Sequence, residues 1–412
     1  EASMAYVPQA AFAASLGKRV VICGDFKQLP PIASARHPLV TKWLREDVFH
    51  RSGIVANIQK DHFHPQLFLL NEQRRMHPDI SGFTNNQIYQ SLVKDHPKTT
   101  DWRKSITERQ PFVGRASLLL DTSHTGHYCL TGRASKSRMN LWQLFLSFQA
   151  IYEAILDGMT SIGYVTPYRT QARMMNLLVE DLLQDERHRA DIFSATVHRF
   201  QGSERDMMVF DTVDGEPESR PGMLLTGQNS ERLINVAMTR TKGKFIHVSN
   251  VDYIKKKVPR TKTLHQLVDH HIDHHEQITP NQIGNWVNHH HPKLTWHHAM
   301  KTKTIFSEIA KSREIIIAIP SGGVLTKEWE REIKQATGSL TLVSSSLIRS
   351  LPYANHIEQS ISFPFIVLDR KTLWLGVPFE GMRETLPPAV AVRLQSSLVI
   401  GEFLNQIIQF DN

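Results

Sequence analysis

Cysteine is nearly absent from this chain of 412 residues, Cys23 and Cys129 being the only two. Two thiols cannot staple a chain this long, and they do not form a CxxC metal-binding pair. A disulfide-framed secreted domain is thereby excluded, and a reducing, cytoplasmic compartment is expected. No stretch approaches the roughly 18 consecutive apolar residues of a spanning helix, so no membrane partner is expected. The opening residues, EASMAYVPQAAF, show no signal-peptide pattern. They begin with Glu rather than Met, which is the first hint that the sequence starts inside a longer protein. Acidic residues are outnumbered, 40 Asp and Glu against 48 Lys and Arg, leaving a net charge of +8. That excess suits a polyanionic partner and suits a basic, soluble surface equally well. No GxxxxGKS/T phosphate loop occurs anywhere in the chain.

What is present is the composition of a globular protein, 41% hydrophobic and 21% charged, with a length that predicts two to three domains. A helical stretch at Ala10–Leu16 precedes a short apolar strand at Arg19–Cys23, which runs into the loop GDFKQLPP (24–31). Further on, apolar residues at helical spacing mark 141–157, 169–184 and 231–242. Apolar runs at 161–166, 192–197, 207–213 and 244–249 read as strands. Strands alternating with helices predict a largely parallel sheet, an α/β fold. Residues 254–300 hold KKKVPR and then ten histidines between His265 and His298, and read as a connector. From 301 to 412 the alternation returns, as a smaller α/β domain.

Five loops at the ends of these elements carry chemistry. In GDFKQLPP, Asp25 and Gln28 lie just beyond a strand, and Gln offers both a donor and an acceptor to a water or a phosphate oxygen. In LLNEQRRMHPDIS (69–81), adjacent arginines could set one guanidinium on a phosphate. TPYRTQ (166–171) follows a strand and could meet a nucleic-acid backbone. TVHRFQGSERD (196–206) joins a Gly-Ser turn to an acid. In INVAMTRTK (234–242), Thr239 and Lys242 share a helical face while Arg240 projects elsewhere, free to cross a domain cleft. Singly, each admits a plain structural reading as a turn, a capped helix start or a solvated charge pair.

Taken in order, GDxxQLPP, QxRMHP, TPYRxQ, FQGSE and NVAxTRxK resemble the motif series of superfamily 1B helicases over residues 1 to about 250. The resemblance implies two RecA-like domains clamping ATP and Mg²⁺: the C-terminal part of the first at 1–65 and a complete second, with a parallel sheet, at 66–253. Glu1-Ala2-Ser3 then looks like the remainder of a DEAS Walker B motif, with Glu1 orienting or deprotonating the attacking water. Gln28, with Asp25, would sense the γ-phosphate. Arg75 and Arg240 would be arginine fingers, which in this chemistry contribute about 10³–10⁵ in rate. Gly202 and Glu204 would lie at the nucleotide, Glu204 on its ribose or γ-phosphate side. Thr166, Pro167 and Tyr168 would line the track of a single-stranded nucleic acid. Arg74 stands where the family has Tyr, and His198 where it often has Asp.

FPFIVLDRKTLWLG (363–376) reads as two strands about a tight turn at Asp369-Arg370-Lys371. It resembles the hairpin of phospholipase D-like nucleases, which would make 301–412 a phospholipase D-like α/β domain. Aligning Asp369 with that family's Asp puts Pro364 at the Lys position and Ser362 at the nucleophilic His position, so the copy would be non-catalytic. An unrelated small α/β domain is the alternative. His270/His274 and His271/His275 have ligand spacing for zinc on a helix, but no cysteine joins them and no HExxH occurs, so no metal site is expected.

The function expected is an ATP-dependent helicase or translocase moving 5′→3′ on single-stranded DNA or RNA. Its domain company resembles bacterial defence helicases acting on foreign DNA. The alternatives are a nucleotide-gated nucleic-acid-binding module and a helicase–nuclease. Because the chain has no phosphate loop, the 412-residue chain alone is expected to release no phosphate from ATP, with or without nucleic acid. A phosphate-release assay checks this, and nucleic-acid-stimulated turnover contradicts it.

Overall fold

The computed structural model describes all residues except 1, 61, 63, 187, 201, 288–290, 300–302, 321–324, 378, 380–388 and 409–412. The chain begins with a helix, Val7–Ser15, covering most of the expected one. Arg19–Cys23, however, is no strand. Val20 and Val21 are exposed, and the backbone contact in this stretch runs from the Ala2 N–H to the Cys23 carbonyl (3.0 Å). A strand exists by exchanging hydrogen bonds with a neighbour, and no described residue pairs with this one. Among the described residues, 1–65 contain helices and loops but no sheet.

The expected parallel sheet is present. Its strands are β1 (Ser117–Asp121), β2 (Ser161–Thr166), β3 (Asp191–Thr196), β4 (Arg205–Asp211), β5 (Thr241–Ser249) and β6 (Gln277–Ile278). They lie in the order β6-β1-β5-β4-β2-β3, every neighbouring pair parallel. Leu118, Leu119 and Leu120 in succession are fully buried, as a strand covered on both faces requires. One face carries α1 (Leu141–Leu156) and α2 (Arg169–Leu182). The other carries α3 (Ser230–Thr239) and α4 (Thr263–Asp273).

Residues 254–300 are not a loose connector. Within them lie α4 and β6, which adds an edge to the parallel sheet with Gln277 opposite Leu119. Strand β7 (Leu294–His298) enters a second sheet. The histidines that made the segment read as polar are packed and bonded. His265 Nδ1 meets the Val258 carbonyl at 2.7 Å, His271 Nδ1 meets Glu276 at 2.6 Å, and His291 Nε2 meets the Leu182 carbonyl at 2.9 Å. Imidazole is half apolar ring and half polar edge, so one bonded nitrogen can let it enter a core.

The second sheet contains β8 (Glu314–Ala318), β9 (Ser339–Ser344), β10 (Asn355–Glu358), β11 (Phe365–Leu368), β12 (Thr372–Leu375) and β13 (Val390–Gln395), in the order β7-β13-β12-β11-β8-β9-β10. Strand alternation sends Ile315, Ile317, Ile366, Leu368 and Trp374 to one face, against α5 (Lys303–Lys311) and α6 (Lys327–Gln335). Ile316, Ala318, Phe365, Val367, Leu373 and Leu375 face the other way. There they share one apolar core with α1, α2 and α7 (Ser397–Ile407). This explains why α1 is buried from Leu141 through Ile155. Its polar side chains are matched: Trp296 donates its indole N–H to Gln149 (3.1 Å) and Trp286 to Glu153 (2.8 Å). The turn between β11 and β12 has Asp369 and Arg370 at φ 51° and 52°, as expected for a tight hairpin. Asp369 accepts the backbone N–H groups of Arg313 (2.8 Å) and Glu314 (2.9 Å), a backbone-capping role.

Burial of histidine makes the fold acid-sensitive. His247 is fully buried beside His271, and neither ring nitrogen has a partner among the described residues. Burial pushes its pKa well below 6.5, and burial with the neighbouring histidines brings His270 down to about 4. Above pH 6.5 neither folded nor unfolded chain holds these protons, and below it only the unfolded chain gains them. Stability therefore falls as pH falls from 6.5 towards 4. His247→Phe should remove up to about 2 kcal/mol of the loss between pH 7 and pH 5. Urea midpoints at the two pH values measure this, and equal losses in both proteins contradict it.

Candidate nucleotide cleft

The loop 24–31 is anchored by Leu29, which is 2% exposed and sits in the core beneath α3. Asp25 turns the loop by accepting the Lys27 N–H at 2.8 Å. Gly24 is required by closeness, since a Cβ there would come within 2.8 Å of the Phe49 ring.

Helix α3 lies along this loop. Positions 231, 235 and 239 are four apart and so fall on one face. Glu231 takes the Lys27 ammonium at 2.7 Å. Asn235 donates to the Lys27 carbonyl at 3.1 Å and to the Tyr89 hydroxyl at 2.8 Å. Thr239 receives the Gln28 amide at 3.2 Å. The helix ends there, and Arg240 is its C-cap. Its Nη2 donates to Gln28 Oε1 at 2.8 Å. Because the helix stops at Thr239, the expected helical face shared by Thr239 and Lys242 does not form. Lys242 belongs to β5 and pairs with Glu204 (3.4 Å) and Asp206 (3.3 Å).

Arg75 comes to the same place from another direction. Gln73 Oε1 accepts the N–H groups of Arg75 and Met76, both at 2.8 Å. Arg103, on the helix Thr99–Thr107, donates to the Arg75 carbonyl (2.6 Å) and the Arg74 carbonyl (3.1 Å). With its backbone so held, Arg75 sends Nε to Glu204 at 2.8 Å and Nη1 to the Thr239 carbonyl at 2.9 Å. Arg74 turns outward to Glu72.

Asp25, Gln28, Arg75 and Arg240 line one cleft of about 690 Å³, together with Lys27, Tyr89 and Glu231. That is the size of a small-molecule site. Burial works to raise the Glu204 pKa, but Arg75 and Lys242 outweigh it and hold the carboxyl below its usual range. Tyr89 hydrogen-bonds Asp25. Burial and the Asp25 charge push its phenol well up, so it stays protonated. Gly202 takes φ +83°, a left-handed turn ahead of Glu204. Glu1 lies outside the described residues.

Thr166, Pro167 and Tyr168 do not come to a surface. Thr166 is fully buried, Tyr168 is 8% exposed, and Pro167 is buried between them. The Tyr168 hydroxyl donates to Asp214 at 2.7 Å, and Asp214 also holds Arg138 at 2.8 Å. Side chains spent in this way cannot stack on bases, so the expectation that they line a track is corrected. Conversely, Tyr89, Asn235, Gln73 and Arg103 were not anticipated. Asn235 and Gln73 lie inside the quoted motifs, whereas nothing local to Tyr89 or Arg103 marks them.

Residues 51–252 match the family described as an AAA domain. The chain is 27% identical over 310 residues to a probable helicase of Dictyostelium discoideum, a match covering 74% of this chain and 28% of that protein. It is 26% identical over 281 residues to ATP-dependent helicase upf1 of Schizosaccharomyces pombe, covering 66% of this chain and 28% of the relative. With helicase sen1 of the same yeast it is 25% identical over 248 residues, 58% of this chain and 13% of the relative. The chain thus spans between 13% and 28% of the length of these relatives. It contains a superfamily 1 helicase-like region with a mixed α/β fold.

Asn235 has no solvent exposure and ties the loop to α3 through two hydrogen bonds. Asn235→Ala should cost about 2 kcal/mol, roughly 1 kcal/mol per bond. Urea unfolding measures it, and a change below about 0.5 kcal/mol contradicts the assigned contacts.

Proposed function

We propose that the cleft receives the triphosphate of ATP and that the chain is the second-lobe part of a 5′→3′ motor on single-stranded DNA or RNA. The observation that carries this reading is the meeting of Arg75 and Arg240 beside Asp25 and Gln28 in one cleft. Two guanidiniums and the Lys27 ammonium supply positive charge where a triphosphate would lie. Gln28 touches Arg240 directly, so a change at the phosphate end moves both the loop and α3. A γ-phosphate entering this cleft would compete with Gln28 for Arg240, and its loss would return Arg240 to Gln28.

ATP with Mg²⁺, when bound, supplies the phosphoryl group whose cleavage drives the cycle. The donor set fits the phosphates. Arg75 Nη2 has no partner among the described residues and lines the cleft, ready to donate. The metal would arrive with the nucleotide, and Glu1 would handle the attacking water. Arg75 and Arg240 would act on the charge that develops as the phosphoryl group leaves.

The nucleic acid is a separate question from the nucleotide. The +8 charge and the helicase relatives support a single-stranded partner, but its contacts come from side chains other than those of Thr166, Pro167 and Tyr168. The C-terminal unit enters as a binding module, not as a nuclease. Ser362 donates to the His127 carbonyl at 2.9 Å, position 364 is Pro, and Asp369 is committed to backbone.

Arg240→Ala should weaken binding of a fluorescent ATP analogue by about tenfold, the worth of one charge-assisted hydrogen bond. An unchanged affinity contradicts the cleft assignment. Labelled poly-dT and poly-U oligonucleotides should bind and lose affinity steeply between about 50 and 200 mM salt. Absence of binding to both contradicts the motor reading.

A further inference from the structure

We infer that Glu204 is a positioning residue for Arg75 and not a ligand of the nucleotide. The inference rests on the nucleotide reading of the cleft and changes the role that the motif series implies for this acid. An arginine carries five N–H hydrogens on a rigid plane. Arg75 spends Nε–H on Glu204 Oε2 (2.8 Å) and one Nη1–H on the Thr239 carbonyl (2.9 Å). Two bonds made from different nitrogens of a planar group fix both its plane and its direction. The hydrogens of Nη2 and the second of Nη1 have no partner among the described residues. They belong to the end of the guanidinium that lines the cleft.

Glu204 is itself fully engaged. Its Oε2 holds Arg75, and its Oε1 faces the Lys242 ammonium at 3.4 Å. Neither oxygen is left for a ribose hydroxyl, and a carboxylate turned towards a triphosphate would repel it. Unlike Arg75, Glu204 does not line the cleft. Its own placement comes from the backbone, because the next residue, Arg205, donates its N–H to the Arg240 carbonyl at 2.8 Å. The carboxyl end of α3 therefore holds Arg75 twice, through the Thr239 carbonyl and through the strand that carries Glu204.

The test is made on the whole chain with inorganic tripolyphosphate as the probe. In a ¹H–¹⁵N spectrum the Arg75 Nε–H, identified by its absence in Arg75→Lys, should be protected from exchange and should stay so when tripolyphosphate binds. In Glu204→Gln the protection should disappear while the backbone spectrum stays native. Arg75→Gln should weaken tripolyphosphate about tenfold in the wild-type background and less than about threefold in Glu204→Gln. The general effect of removing the Glu204 charge cancels in that comparison. If tripolyphosphate abolishes the protected signal, Glu204 lets go of Arg75 on binding and the inference is overturned. An equal loss from Arg75→Gln in both backgrounds overturns it too, while leaving the cleft reading intact. If tripolyphosphate perturbs neither Arg75 nor Arg240, the nucleotide reading itself falls, and this inference with it.

Discussion

The last turn of α3 is the point on which the candidate site depends. Within two residues, Thr239 and Arg240, it gathers a loop from the first thirty residues, an arginine from position 75 and a strand that begins at 205. Gln28 bonds both residues, Arg75 uses the Thr239 carbonyl, and Arg205 uses the Arg240 carbonyl. A helix leaves its last carbonyls without partners inside itself, and here partners from distant segments take them. Stopping the helix at Thr239 is what frees those groups. One more turn of helix would turn Arg240 away from Gln28 and close off the carbonyl that Arg75 needs.

A second constraint acts on the other face of the sheet. Helix α1 is apolar nearly all round, so it needs cover on both sides. The parallel sheet covers one side and the second sheet with α7 covers the other, so that Trp142, Trp296, Phe363 and Phe403 belong to a single core. Two units that share a core of this kind do not separate without exposing it to water. The C-terminal sheet is thus built into the helicase-like region, with Trp286 and Trp296 placed to bond the only polar side chains that α1 presents there.

Much of this was legible where a period in the sequence is long and unambiguous. β2 occupies the residues its apolar run marked, and α1 and α2 end within two residues of where their spacing stops. The turn at Asp369 follows from residue types that tolerate a left-handed backbone. The misreadings share one cause, that the deciding partner lies far along the chain. Arg19–Cys23 has the apolar content of a strand, but pairing is what makes one. The histidines of 254–300 look like a solvated linker until Val258, Glu276 and Leu182 are seen to bond them. Tyr168 reads as a surface aromatic at a strand end, yet Asp214, forty-six residues on, draws its hydroxyl inward. In the cleft, motif order located Asp25, Gln28, Arg75 and Arg240. Tyr89 stayed hidden because its partners, Asp25 and Asn235, stand 64 and 146 residues away.

The claim that everything else serves is that Arg75 and Arg240 face one triphosphate. The most direct measurement is photo-crosslinking with an ATP analogue that carries an aryl azide on its γ-phosphate, followed by mass-spectrometric mapping of the modified peptides. The account predicts label within 24–31, 69–81 and 231–242, displaced by unmodified ATP. Label that falls instead on the second sheet, or that ATP does not displace, would contradict it.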